Sequence, residues 1–334
     1  MTPTPDFLTP DFDLSHRNTL QLRSIARYGG LLQNVERISE AIRFAEKLGL
    51  PFHLLGGGSN SVLPPRLEAV VGISAMAGRS IEQVREGIRL TSAAGETWDN
   101  LVGWSVLQGI GGLENLAGIP GTVGAAPIQN IGAYGREISN VFESLTALDT
   151  ETGETRTFSS EECGFDYRHS RFKEQPSRHL VTEVTLLLPY EWQPCLEYDG
   201  LDNLPGIVTP EDVRTAVLAR RRSRLPDWRL TGNAGSFFQN PIVSEEVARS
   251  IPEVPGRAVH GGIKISAGWL LEQCGLKGHR HGGAGFSEQH ALVLVNNGGA
   301  TLDDVLHLAD QARSEVRRRF GIDLAQEPVV IADS

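Results

Sequence analysis

The stretch A-G-I-P-G-T-V-G-A-A-P-I-Q-N-I-G-A-Y-G, from Ala117 to Gly135, decides the fold. Its nineteen residues hold five glycines, two prolines and no ionised side chain, which is the composition of a buried, irregular backbone. The amides and carbonyls of such a backbone need partners in protein, water or a ligand rich in donors and acceptors. A large cofactor meets that demand. The alternative is a glycine-rich connection between core strands, and long loops in compact domains are usually functional.

Working outward, a second glycine cluster lies upstream, G-G-G-S-N at Gly56, Gly57, Gly58, Ser59 and Asn60, after a short apolar strand expected over Pro51–Leu55. Successive amides in a tight glycine turn make a concave donor nest suited to a pyrophosphate. The spacing departs from G-x-G-x-x-G, and Pro64 and Pro65 forbid a following helix, so a Rossmann reading is poor. Before it, a Pro- and Asp-containing N-terminal arm reads as loose, and Leu20–Ile25 as a short strand. A helix capped by Ser39 and stopped by Gly49 follows.

Strands are expected at Val70–Ile73, Ile88–Ala93, Val141–Leu148, Thr155–Phe158 and Leu180–Leu188, with a helix capped by Thr97. Within this α+β part sits D-Y-R-H-S-R-F-K, Asp166–Lys173, where an extended Arg168 beside Tyr167 is suited to clamping a carboxylate; a solvated charged edge is the other reading. Thr209-Pro210-Glu211 starts a helix that ends in Arg220, Arg221, Arg222 and Arg224, cations that complement its C-terminus. Leu225-Pro226-Asp227 marks a domain boundary.

T-G-N-A-G-S-F-F-Q-N-P, Thr231–Pro241, holds Ser236 between a glycine turn and two phenylalanines, where its hydroxyl is positioned to deliver a proton; the alternative is an ordinary turn serine. It is not a G-x-S-x-G elbow. Helices follow at Ser244–Ile251 and Ser266–Cys274, then a basic glycine loop, Lys277–Gly285, that reads as anion-facing. Cys274, His279, His281 and His290 match no standard zinc spacing. A strand at His290–Asn296 precedes a long helix, Thr301–Phe320, with an apolar stripe that includes Leu306. Glu327 then precedes a proline and is biased to extended backbone.

With 334 residues the chain is long enough for two or three domains. A net charge of -10 argues against non-specific binding to nucleic acid or to a membrane surface. No apolar run approaches a membrane span, no secretory signal pattern opens the chain, and three scattered cysteines suggest no disulfide framework, so a cytoplasmic protein is expected.

Taken in order, L-G-G-G-S-N, the Ala117–Gly135 stretch, D-Y-R at 166–168, G-N-A-G-S-F-F-Q-N-P and S-A-G-W-L-L-E-Q-C-G-L-K-G resemble the UDP-N-acetylenolpyruvoylglucosamine reductases (MurB) of the longer-loop type. The resemblance runs from about residue 17 to about 330. It implies an α+β protein with two FAD-binding domains of the vanillyl-alcohol-oxidase type, 1–72 and 73–224, a UDP-sugar-binding domain, 225–323, and a segment, 324–334, returning towards the flavin. It implies FAD and NADPH as cofactors, a monomer, and reduction of an enolpyruvyl ether to a lactyl ether in peptidoglycan precursor synthesis.

Carried over by position, Ser236 matches the proton donor, and Arg168 and Glu327 match the pair that stabilises the enolate. Gly56–Asn60, Pro120, Gly121, Thr122, Gly124, Ala125, Gln129, Asn130, Gly132, Ala133, Tyr134 and Tyr167 match flavin contacts. Tyr198, Arg224 and Asn240 match substrate contacts, with Tyr198 on the loop that closes over the nucleotide diphosphate. Two positions depart from the family pattern: Arg224 stands where a lysine is usual, and Glu327 lies in Q-E-P rather than P-E-V. The rival functions are an FAD oxidase of the vanillyl-alcohol-oxidase type and a non-catalytic FAD- or nucleotide-sugar-binding protein.

Overall fold

The computed structural model describes residues 3–198, 200–202, 204 and 206–332. The first sheet has the order Thr9–Asp13, Ile25–Leu32, Arg66–Ser74, Phe52–Leu55, with the last three strands parallel. The crossover between Ile25–Leu32 and Phe52–Leu55 is the helix Val35–Leu48, which buries Ile38, Ala41, Phe44 and Ala45. Asn34, not Ser39, caps this helix by accepting from the Arg37 amide, and Gly49 ends it in a left-handed turn. The cap is one turn earlier than expected because Val35 already belongs to the apolar stripe.

Two N-terminal expectations are corrected. The arm is not loose: Thr9–Asp13 pairs antiparallel with Ile25–Leu32, flanked by the buried side chains of Leu8 and Leu14. A proline at position 10 is tolerated because the strand is at the sheet edge. Leu20–Ser24 is irregular, and the strand begins at Ile25. Leu20 and Leu22 are buried elsewhere, against the core of the C-terminal part.

The second sheet is five-stranded and antiparallel, in the order Thr155–Ser159, Phe142–Asp149, His179–Leu188, Gly87–Ala93, Arg79–Val84. Its strands fall where alternation placed them, except that the largely exposed Arg79–Val84 carries no apolar signal. One apolar core runs from this sheet under the helix Val35–Leu48 and reaches Val213 and Val217 of the helix Pro210–Arg224. That helix starts with a capping box between Thr209 and Asp212. It packs on the single turn Glu114–Leu116 just before the glycine-rich stretch.

The C-terminal part has a four-stranded sheet, Asn233–Ser236, Val293–Asn296, Ala284–Phe286, Arg280–His281, backed by the helices Ala267–Gln273 and Leu302–Phe320. Leu308 rather than Leu306 is buried on the long helix. Phe237 and Phe238 are fully enclosed in this core and contribute roughly 1.5–3 kcal/mol each by burial. A small sheet of Ile242–Val243, Gly262–Ile265 and Gly256–Val259 projects beside it. The loop at Lys277–Gly285 is a hairpin whose cations already have acids: Lys277 meets Glu272 at 3.3 Å and Arg280 meets Glu288 at 3.4 Å. Its amide at Gly283 donates to Asp304, so the expected anion-facing character is not seen.

The segment after the long helix stitches the parts together. Gln239 N–H donates to the Ala325 carbonyl, Glu327 N–H to Phe237, and Val329–Val330 pairs in parallel with Ser61–Val62. No helix among the described residues is long and apolar enough to cross a membrane.

Candidate active site

Arg168 does not lie in an extended segment. It occupies a left-handed turn with φ +53°, closed by reciprocal backbone hydrogen bonds between Asp166 and His169 and by Lys173 Nζ donating to the Arg168 carbonyl. A non-glycine residue in that region is strained by about 1–2 kcal/mol. The strain aims the guanidinium inward: Nη2 donates to the Gly132 carbonyl at 3.0 Å and Nε to Glu327 Oε1 at 3.2 Å.

Glu327 is only 8% exposed. Burial pushes its carboxyl above its ordinary value, outweighing the pull of Arg168 and Lys173. One contact through Nε, rather than a bidentate pair, is weak compensation for a desolvated carboxylate. Burial also opposes the charge of Arg168, but Glu327 and the other groups facing it hold the guanidinium above its ordinary value, so it remains a cation. The arrangement is a fixed positive charge beside a carboxylic acid that can donate.

Ser236 ends the strand Asn233–Ser236, opposite Val293. Because Phe237 accepts from the Glu327 amide, the serine and the acid are held on adjacent backbone positions. Asn60 ties this junction to the glycine turns, its Nδ2 donating to Gln129 Oε1 at 2.9 Å and to the Glu327 carbonyl at 3.1 Å.

The two glycine clusters face each other. A Cβ at Gly57 would stand 3.0 Å from the Gly121 Cα, and one at Gly56 would stand 2.2 Å from Thr122 Oγ1. Ser59 Oγ donates to the Pro120 carbonyl, locking the pair. Ala117–Gly135 is not a plain loop: it folds into turns at Val123–Ala125 and Pro127–Gln129 and a short strand at Gly132–Ala133, with Ala125 exposed in its middle. The amides of Gly57, Gly58 and Ser59 have no protein acceptor among the described residues, as a nest for an anionic diphosphate requires.

Residues 31–159 match an FAD binding domain, and residues 227–331 match the C-terminal domain of UDP-N-acetylenolpyruvoylglucosamine reductase. A reductase of that name from Bdellovibrio bacteriovorus is 44% identical over 329 residues, covering 95% of this chain and 97% of the relative. One from Pseudomonas aeruginosa is 43% identical over 322 residues, covering 93% and 95%. The chain belongs to the UDP-N-acetylenolpyruvoylglucosamine reductase family. The crystal structure of the reductase (MurB) from Thermus caldophilus aligns with a TM-score of 0.68 at 25% identity, covering 97% of both chains.

The open amides and the Cβ-free contact between the clusters fit the FAD of the matched domain. Not every expected flavin contact has a side chain to offer it. Asn130 Nδ2 is engaged by Glu137 Oε2 and the Asp166 carbonyl, and its Oδ1 accepts from Ser139, so it secures the Arg168 turn. Gln129 Oε1 accepts from Asn60, which leaves its NH2 group to face the cradle's ligand. Tyr134, with φ +49°, presents its ring edge to Tyr198 at 5.1 Å.

The arginine run of this reductase does more than complement a helix end. Arg221 is half-buried, and desolvation lowers its pKa against the pull of Tyr134 and Asp99. Asn240 uses Oδ1 to accept from the Ala267 amide at a helix start. Arg224 lies in the last turn of the helix Pro210–Arg224.

Lys264 was not anticipated. Its Nζ stands over the Tyr167 ring, 4.3 Å from its centre, and both line a cavity of about 600 Å³ with Asp166, Asn130, Arg257 and His260. A lysine alternating with isoleucines in I-K-I was the available signal. Glu114 and Asn115 were also missed, although a buried acid and amide in the apolar run around Ile110–Ile119 are themselves conspicuous.

Proposed function

We propose that this chain is a UDP-N-acetylmuramate dehydrogenase, reducing UDP-N-acetylglucosamine enolpyruvate with NADPH through FAD. The reading is carried by the meeting of Glu327 with Arg168 on one side and with the backbone next to Ser236 on the other, beside the glycine cradle. Neither an oxidase nor a passive binder needs a cation, a buried acid and a hydroxyl converging at one place.

FAD, reduced by NADPH, supplies the hydride for the alkene. The chain's own residues handle what that addition leaves behind. Negative charge spreads into the enolpyruvyl carboxylate, and Arg168, held by Gly132, is a fixed positive charge where it collects. Glu327, whose carboxyl burial raises above its ordinary value, donates to the same oxygens in its protonated form. The Ser236 hydroxyl delivers the proton to carbon. Serine is a weak acid, but the carbanion is a strong base, so placement counts for more than acidity. Tyr198, reaching over Tyr134, and Arg224 meet the nucleotide diphosphate.

Purified protein should be yellow and should oxidise NADPH only when the enolpyruvyl UDP-sugar is present. A colourless protein, or steady NADPH oxidation in air without the sugar, would sink the assignment.

A further inference from the structure

We propose that Asn115 is a positioning residue for substrate capture: its side-chain amide ties the Trp192–Tyr198 segment to the Tyr134 end of the cradle and so sets Tyr198 over the nucleotide site. The inference rests on the reading that Tyr198 meets the diphosphate.

Asn115 is 1% exposed, and its Nδ2 donates to the carbonyls of Tyr134 and Cys195, each at 2.9 Å. Two carbonyl acceptors fix the amide orientation, because only the NH2 group can serve both. Both donors are thereby used, one on each of two segments 61 residues apart. Residues 192–197 form neither helix nor strand and make no backbone–backbone hydrogen bonds among the described residues. The segment is therefore held by side chains.

Asn115 holds its middle. Its start is held by Glu114, whose Oε1 accepts from Trp192 Nε1 at 2.8 Å while Oε2 accepts from the Gly112 amide at 2.5 Å. The indole lies flat against Gly111, where a Cβ would stand 2.3 Å from Trp192 Cδ1. Cys195 Sγ rests on the Tyr134 carbonyl at 3.8 Å. Three residues beyond Cys195, the Tyr198 ring meets the Tyr134 ring at 72°. The chain that carries Tyr198 is thus referenced to the cradle by the Asn115 amide, with the Cys195 thiol and the ring contact beside it. A displaced Cys195 carbonyl moves Tyr198, and a 1 Å misplacement is enough to weaken a hydrogen bond to a phosphate.

Asn115→Asp preserves shape but turns an oxygen towards two carbonyls, so both ties become repulsive. In the holoenzyme, N115D should keep its FAD and its rate of flavin reduction by NADPH within about twofold, while KM for the UDP-sugar rises about tenfold or more, the loss expected of buried carbonyls left unpaired. In a Tyr198→Ala background the same change should add less than about twofold, because the two residues act through one contact. Trp192→Phe, which removes the indole donor along with part of the ring, should raise KM in the same direction. Equal losses in both half-reactions, or full additivity with Tyr198→Ala, would overturn the proposal and make Asn115 a general stabiliser. If Tyr198→Ala raises KM while N115D and Trp192→Phe do not, only this inference falls. If Tyr198→Ala leaves KM unchanged, the reading of Tyr198 falls with it.

Discussion

The Glu327 amide donates to the Phe237 carbonyl at 3.0 Å, so the buried acid is hung beside Ser236 by backbone and not by side-chain chance. Two residues 90 positions apart in sequence are thereby registered like neighbours across a ladder. Either side chain can be replaced without loosening the other.

That independence makes the acid testable. Burial raises the Glu327 carboxyl, so the folded state holds its proton to higher pH than the unfolded chain. The associated stability is fully present below roughly pH 4.3, where the unfolded carboxyl titrates, and is lost as pH rises through the folded value. Turnover of the parent should fall across the same upper limb, because the donor is the protonated form. Glu327→Gln should flatten the stability profile and be relatively more stable at neutral pH than at pH 4. Urea midpoints measured across pH check it, and parallel profiles for both proteins would refute it.

Ser236→Ala should leave flavin reduction by NADPH within about twofold while slowing reoxidation by the UDP-sugar by roughly 10²–10⁴, the usual worth of a positioned proton donor. Stopped-flow absorbance separates the two halves. A matched loss in both would mean the serine only shapes the strand.

Gly57→Ala should yield protein depleted of flavin. The added methyl meets the Gly121 Cα at 3.0 Å, and backbone on both sides cannot yield without closing the nest. Flavin absorbance per mole of purified protein reads the outcome, and full occupancy would show that the two clusters are free to part.

Thr301→Ala removes the cap of the helix Leu302–Phe320, where Thr301 Oγ1 accepts from Asp304. A loss of about 1 kcal/mol in unfolding free energy is expected, with no change in KM, since the cap is remote from Ser236.

The cradle was legible because glycine at close-packed positions is a local requirement that leaves a local mark. The second sheet was legible by alternation, and the packing of Phe237 and Phe238 after the Ser236 turn by their place in the motif. What escaped was decided over long range. Nothing near Ser39 shows that Asn34 is the better cap once Val35 packs on the core, and Pro10 hides a strand that exists only because Ile25–Leu32 lies beside it. The left-handed turn of Arg168 is imposed by Lys173 and by the Asp166–His169 closure, which a string of charges does not advertise. Nothing in the sequence around Asn115 shows that its amide is used by Cys195, 80 positions on.

The segment from Ala325 to Val330 is bonded on one edge to Phe237–Gln239 and on the other to Asn60–Val62. A seam of this kind works as a rivet: the backbone that carries Glu327 joins the strand end of Ser236 to the glycine turn of Asn60, so the spacing of acid, serine and cradle is set by main-chain bonds on both edges.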